Sequence, residues 1–303
     1  MVSDLQATVK LMRPVDSFLK PDCMNNYLQG LHAINSNVKD YIIDLEPTES
    51  RTDVLKKIYG KLLMVMLHRQ NVMEPSRGMK YFTYSPEDII GPLNDVEEKY
   101  APKKLYVAGN LSIPLPSPRT AVIGSREASR EGLKAASDIT RTLVRKGVVI
   151  VSGLAKGIDT SAHCAAIEEG GKTIAVLGTP LNRVYPRENS KLQEVIMRDH
   201  LAISQFPIGY PTQPKDFVIR NRTMALISDA SIIVEAGNSS GSLHQGWEAL
   251  RLGRPLFIWN SIMNDSSLSW PQNMLKYGAR ELRNPETVLD VLPSHKGILE
   301  LTL

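Results

Sequence analysis

Gly124-Ser125-Arg126 closes an apolar run that begins at Ala121, and Gly153-Leu154-Ala155-Lys156-Gly157-Ile158-Asp159 closes a second such run further along the chain. A glycine at such a point lets the backbone reverse without a Cβ clash, and the helix beyond it starts with N–H groups that lack intrahelical partners. Ser125 adds a hydroxyl, Arg126 a planar fork of donors and Lys156 an ammonium. Phosphate satisfies such a set, and two strand-to-helix turns side by side on one sheet edge aim at the same anion. The plainer reading of these residues is that Ser129 caps one helix, Asp159 or Thr160 caps the next, and Arg126 is a solvated cation.

Two later stretches carry related chemistry. Residues 211 to 222 read Pro-Thr-Gln-Pro-Lys-Asp-Phe-Val-Ile-Arg-Asn-Arg. Lys215, Arg220 and Arg222 supply cations and Phe217 a flat apolar face, the pairing that single-stranded nucleic acid uses for backbone tracking and base stacking. On a helix, Arg220 and Arg222 point about 160° apart, so one of them is expected to be structural, and Phe217 serves equally well as core. Asn221 lies between the two arginines. The segment from Glu235 to Leu243 is another strand-to-helix turn, where Ser240, Gly241 and Ser242 permit close backbone approach by a ligand, or Ser242 simply caps.

Glu235, Asp159 and Glu248 are the carboxylates expected near this cleft, and they show no paired-acid spacing, nucleophile–base couple or metal-ligand cluster. No catalytic residue, metal or cofactor is therefore expected, and His163 is read as helix packing or a local hydrogen bond. The first turn lacks Gly-x-Gly-x-x-Gly, and the second strand ends in Ser152-Gly153 without a ribose-holding acid, which disfavours a dinucleotide. Gly170-Gly171-Lys172-Thr173 imitates the end of a P-loop, but Ala166 stands where the first glycine is required, and the stretch precedes a strand.

The elements that must position these turns alternate regularly. Apolar, β-branched runs at 119 to 124, 148 to 153, 172 to 178, 200 to 206, 230 to 236 and 254 to 260 read as strands; 130 to 146, 160 to 169, 189 to 199, 217 to 228 and 242 to 252 read as helices. Strands apolar on both faces imply an α/β fold: a doubly wound, mostly parallel sheet of extended Rossmann-like type, closed by a strand at 279 to 283 and a helix at 285 to 292. Residues 1 to 98 lack this alternation and are expected to form a smaller N-terminal helical accessory domain, with an amphipathic segment from Asp53 to Arg69, leaving 99 to 303 as the Rossmann-like domain. The prolines of 98 to 118 predict a linker and an edge segment.

Composition narrows the function classes. The chain has 303 residues, 42% of them apolar, and a net charge of +4, so any affinity for nucleic acid must come from a local patch. Two cysteines, Cys23 and Cys164, are too few for a disulfide framework. The start of the chain carries no signal-like segment and no stretch is long enough to span a bilayer, which leads to the expectation of a cytoplasmic protein with no membrane partner.

Several motifs stand in register between about Lys103 and Asn260. They are Lys104-Leu105-Tyr106-Val107-Ala108-Gly109-Asn110, the two glycine turns, Ala175-Val176-Leu177-Gly178, Val184-Tyr185-Pro186 with Asn189, Phe217 with Arg220-Asn221-Arg222, and Ser240-Gly241-Ser242-Leu243. In these the chain resembles the DNA-processing protein A (DprA, or Smf) family. The resemblance implies a Rossmann-like domain that binds single-stranded DNA without turnover, as a homodimer, and loads a RecA-type recombinase during natural transformation. Matched motif by motif, Gly124, Ser125, Arg126, Gly153, Lys156 and Gly157 would form a phosphate pocket, Lys215, Phe217, Arg220, Asn221 and Arg222 would line the DNA track, and Ser240, Gly241 and Ser242 would complete it. The N-terminal hundred residues lack the family's helix-hairpin-helix glycine signature, and the residues after Pro293 are too few for its winged helix. Two other classes remain open: a nucleotide N-glycosidase of the lysine-decarboxylase-like (LOG) type, for which Gln245 stands where a glutamate is needed, and a nucleotide-sensing module in a defence system.

Overall fold

Strand–helix alternation builds one nine-stranded sheet in the computed structural model, which describes residues 80 to 293. From one edge to the other the strands are β1 (Phe82–Tyr84), β2 (Leu105–Gly109), β6 (Leu201–Ser204), β5 (Thr173–Leu177), β4 (Val149–Ser152), β3 (Arg119–Gly124), β7 (Ala230–Glu235), β8 (Leu256–Trp259) and β9 (Arg280–Leu282). The contacts of β2 with β1 and β6 are antiparallel and all others parallel. The chain runs outward from β3 to β6, then returns to pair β7 with β3 on the other side. The strand order thus reverses at β3, and at such a reversal the carboxyl ends of neighbouring strands open a crevice.

Alternation along each strand explains the two covered faces. Val122 and Ile150 pack with Ile139 and Leu143 of α3 (Arg130–Arg145) and Ile158 and Ala162 of α4 (Ile158–Glu168). Ile123, Ala121 and Val151 pack with Met224 and Ile227 of α6 (Pro214–Ile227). The fifth helix, α5 (Ser190–Asp199), covers Ala175, Leu177 and Ala202 through Ile196, and α7 (Ser242–Arg251) lies on the α6 face through Leu243 and Leu250. Each fully buried Ile, Leu or Val contributes about 1.5–3 kcal/mol, so loops at the strand ends are carried on a rigid frame.

The strand and helix positions read from periodicity match these elements to within a few residues, and the doubly wound sheet is as expected. The closing helix at 285 to 292 is instead a 3-10 turn, Pro285–Val291. The stretch expected to be linker, 98 to 118, contains β2, which is internal to the sheet, with β1 as the true edge. Residues 80 to 98 supply β1, α1 (Pro86–Ile90) and most of α2 (Asp95–Tyr100) to this same sheet domain. Elements of three to six residues are too short to show a period, and α1 and α2 owe their ends to the capping boxes of Ser85 with Asp88 and Asn94 with Glu97. The remaining helices, α8 (Asn260–Met263) and α9 (Trp270–Lys276), have no counterpart in the periodic pattern. Residues 1 to 79, with the amphipathic segment Asp53 to Arg69, lie outside the described residues.

Candidate nucleic-acid interface

Four loops leave the carboxyl edge of β3, β4, β5 and β7 together. The turns after β3 and β4 touch directly: Ile158 N donates to Ser125 O at 3.2 Å, and a Cβ on Gly157, whose φ is +74°, would strike the carbonyls of Ser125 and Arg126. Gly124 is required for the same closeness, since a Cβ there would lie 2.7 Å from Glu235 O. The two turns therefore converge, with Arg126 and Lys156 both exposed above them.

Several of the backbone donors already have partners within the protein, which corrects the expectation that the N–H groups behind Gly124 are unpaired. Ser125 N donates to Glu235 O at 2.7 Å, Glu127 N to Ser125 Oγ at 3.1 Å, and Ser129 N to Glu235 Oε1 at 2.8 Å. Ser129 caps α3 through Gly132 N and donates its hydroxyl to Glu235 Oε2 at 2.5 Å. In the second turn Gly153 N and Ala155 N both donate to Asp159 Oδ2, at 3.1 and 3.4 Å. Asp159 thus turns back from α4 instead of capping it, and the N-cap is Gly157. Burial pushes the Asp159 carboxyl up, while Arg220 and the two N–H donors pull it back down. Lys156 is ion-paired with Glu188 at 2.5 Å, an exposed contact of small strength.

Helix α6 begins at Pro214, three residues before its apolar pattern suggests, because Asp216 accepts from Gln213 N at 2.6 Å and proline suits the first helical position. Its first turns cross the ends of β4 and β5. Arg220, 5% exposed, donates through Nη1 to Gly153 O at 2.5 Å and Val176 O at 2.6 Å, and through Nε to Asn221 Oδ1 at 2.9 Å. Burial lowers its pKa to about 10, with Asp159 opposing and Arg126 adding to the shift. Asn221, 7% exposed, donates to Gly241 O at 3.1 Å. Both were expected on the DNA track; both are struts, because the helical period turns them into the sheet. Arg222 points the other way, pairing with Glu248 at 2.9 Å. Arg251 joins the same carboxylate and lies over the Tyr100 ring at 3.8 Å.

What remains open to solvent is side-chain chemistry. Phe217 lies half-buried over Gly178, where a Cβ would be 2.5 Å from the ring. The exposed Tyr185 ring is 4.9 Å from it, and the Arg126 guanidinium 5.8 Å above its centroid. Neither Arg126 nor the exposed Lys215 has an ion pair among the described residues. The third turn is open: Gly241 has nothing within 4 Å of a Cβ, and the hydroxyls of Ser240 and Ser242 bond each other at 2.7 Å. Ser242 does not cap α7. Tyr185 belongs to the sequence motifs but not to the residues expected in the site; an aromatic before a proline on a strand-end loop was the available signal. Asn189 holds the second turn by donating to Leu154 O at 2.9 Å and Thr160 Oγ1 at 2.9 Å.

The three candidate carboxylates are each engaged by protein groups, Glu235 by Ser129, Asp159 by the β4 turn and Glu248 by Arg222 and Arg251. Gln245 is buried and donates to Ser231 Oγ at 2.9 Å. His163 is fully buried with Nδ1 2.7 Å from Thr173 Oγ1, the local hydrogen bond expected of it. Among the described residues no metal-holding cluster occurs, and no helix is long and apolar enough to cross a membrane.

Comparison with known proteins agrees with this architecture. The chain is 40% identical over 196 residues to the DNA processing protein DprA of Streptococcus pneumoniae, covering 64% of this chain and 69% of that one. It is 31% identical over 192 residues to DprA of Bacillus subtilis, covering 63% and 65%, and 37% identical to the Escherichia coli protein Smf, of which it spans 51%. The X-ray structure of S. pneumoniae DprA superposes with a TM-score of 0.62 at 35% identity, covering 76% of this chain and 78% of that one. A Helicobacter pylori DprA structure, described for its single-stranded DNA binding mode, superposes with a TM-score of 0.57 at 26% identity, covering 70% and 95%. The family described as DNA recombination-mediator protein A matches residues 83–293, so this chain belongs to that family.

Proposed function

We propose that the chain binds single-stranded DNA without chemical turnover and acts as a recombination mediator. The observation that carries this reading is the exposed Arg126 guanidinium over the Phe217 ring, beside Tyr185, at the crevice where the strand order reverses. An unpaired cation over an aromatic pair suits a sugar-phosphate thread with bases stacking on the rings. Lys215 adds a second exposed cation at the start of α6, without an ion pair among the described residues, and the open Ser240–Ser242 turn leaves room for the backbone. Arg220, Asn221, Gly124, Gly153 and Gly157 hold the loops in place in this reading, and Lys156 contributes once it exchanges Glu188 for a phosphate.

The family description, a DNA recombination mediator, supports a further part of the proposal, delivery of the strand to a RecA-type recombinase; assembly as a homodimer and a role in natural transformation complete the proposal as the sequence resemblance implies them. Fluorescence anisotropy with labelled oligothymidylate and matched duplex at low salt tests the central claim. Preference for the single strand is expected; equal or tighter binding of duplex refutes it. Light scattering of the full chain, alone and with a recombinase, tests the assembly.

A further inference from the structure

At each of the two strand-to-helix junctions that form the crevice a glycine, Gly132 in the first turn of α3 and Gly153 at the end of β4, makes room for one of the protein's own carboxylates. A Cβ on Gly132 would meet the Glu235 carboxylate, with its Cδ at 2.9 Å. One on Gly153 would lie 2.7 Å from Asp159 Oδ2 and 2.6 Å from Arg220 Cζ. Glu235 takes Ser129 N and Ser129 Oγ at the start of α3; Asp159 takes Gly153 N and Ala155 N before α4. These are the donors that, in a nucleotide-binding α/β protein, hold a terminal phosphate. Here these four are taken by the protein's own carboxyl groups, Glu235 at the start of α3 and, before α4, Asp159 with Arg220 beside it.

Resting on the reading of the crevice as an oligonucleotide interface, we propose that Glu235 and Asp159 set its specificity: they restrict it to internal phosphodiesters and exclude terminal phosphate and free nucleotides. A phosphomonoester carries a charge of about −1.5 to −2 at neutral pH and seeks several convergent backbone donors, whereas a diester carries a single charge. Glu235 opposes a dianion at the start of α3, and the two carboxyl groups together take four donors that would otherwise face it, Asp159 being itself balanced by Arg220. Arg126 extends from the first turn and Lys215 from the start of α6, both exposed and without an ion pair among the described residues, so a passing diester meets them without displacing either carboxylate. The two residues exclude ligands by occupancy and charge; neither is a catalytic residue.

The test uses the full chain with three probes: 5′-phosphorylated oligothymidylate, the 5′-hydroxyl oligomer and adenosine monophosphate. In the wild type the two oligomers are expected to bind within about twofold of each other, and millimolar nucleotide to leave both binding and melting temperature unchanged. Glu235→Gln removes the charge while its amide oxygen still accepts from Ser129 N and its NH2 donates to Ser129 Oγ, reversing that bond, and it is expected to raise the preference for the phosphorylated oligomer by about fivefold. Micromolar nucleotide binding by the wild type, or an unchanged preference in E235Q, overturns the proposal. If the wild type binds neither oligomer, the DNA reading fails separately; nucleotide binding gained only in E235Q then upholds this proposal, and no gain refutes it. Should E235Q melt too low to assay, the wild type decides alone: oligomers within about twofold and no nucleotide binding uphold the proposal, and a larger preference for the phosphorylated oligomer or micromolar nucleotide binding refutes it.

Discussion

Arg126, like Lys215, has no ion pair among the described residues, and in addition it lies over the Phe217 ring. Substituting Arg126→Ala is expected to weaken binding of every single-stranded sequence alike, by about tenfold or more, because a hydrogen bond to a charged group is worth about 1.5–3 kcal/mol. Anisotropy titrations with oligomers of different base composition measure this. Phe217→Leu keeps an apolar contact over Gly178 but removes the flat face. It is expected to cost about 1–3 kcal/mol per stacked base while leaving thermal stability near the wild-type value. The Gly-Ser-Arg triplet was legible from residue types alone as a strand-end turn that carries an exposed cation. That Glu235 and Asp159 would reach the turn donors first was not, since Ser129 and Glu235 lie far apart in sequence and only the β3–β7 pairing joins them.

At the scale of elements, α6 decides which arginine does what. Its period sends Arg220 into the sheet and Arg222 to the surface, a divergence that spacing alone predicted while leaving open which residue went where. Removing Arg220 strips partners from the Gly153 and Val176 carbonyls and leaves Asp159 buried without its neighbouring cation. Arg220→Ala is therefore expected to cost about 3–5 kcal/mol of stability. Arg222→Ala breaks an exposed pair and is expected to cost less than about 1 kcal/mol. Urea melts of the two variants side by side check the assignment; equal losses would contradict it. Helices α3, α5 and α7 were readable because each keeps one apolar face along its length, and α4 and α6 because helix-length segments separate the strands on either side of them, whereas β1, α1, α2 and α8 are too short to announce themselves.

For the molecule as a whole, a net charge of +4 spread over 303 residues gives little long-range attraction, so binding must come from a few local contacts. Single-strand affinity should then fall with salt with a log–log slope of about −0.7 per phosphate engaged, and Arg126→Ala should make that slope shallower by about 0.7. Stability should fall in acid. Burial, helped by His200 and Arg220, lowers the His163 pKa from 6.5 to about 3. The unfolded chain takes up a proton below pH 6.5 that the folded chain refuses. Stability is thus complete above 6.5 and is lost as pH falls toward 3, by about 1.4 kcal/mol per unit from this residue. Urea midpoints across that range, for wild type and His163→Asn, should converge at low pH; parallel curves would refute the assignment.

Residue order by itself determined the doubly wound sheet, because apolar runs of strand length alternating with amphipathic helices leave few ways to bury both faces. It also located the glycine turns, since a reversal at a strand end needs a residue without a Cβ at a predictable place. Only the tertiary structure decided which charges face solvent: hydrogen bonds between Glu235 and Ser129, or between Arg220 and Val176, span segments whose meeting depends on strand order. Periodicity tells a helix which face to bury, but the partner waiting on that face is chosen by topology.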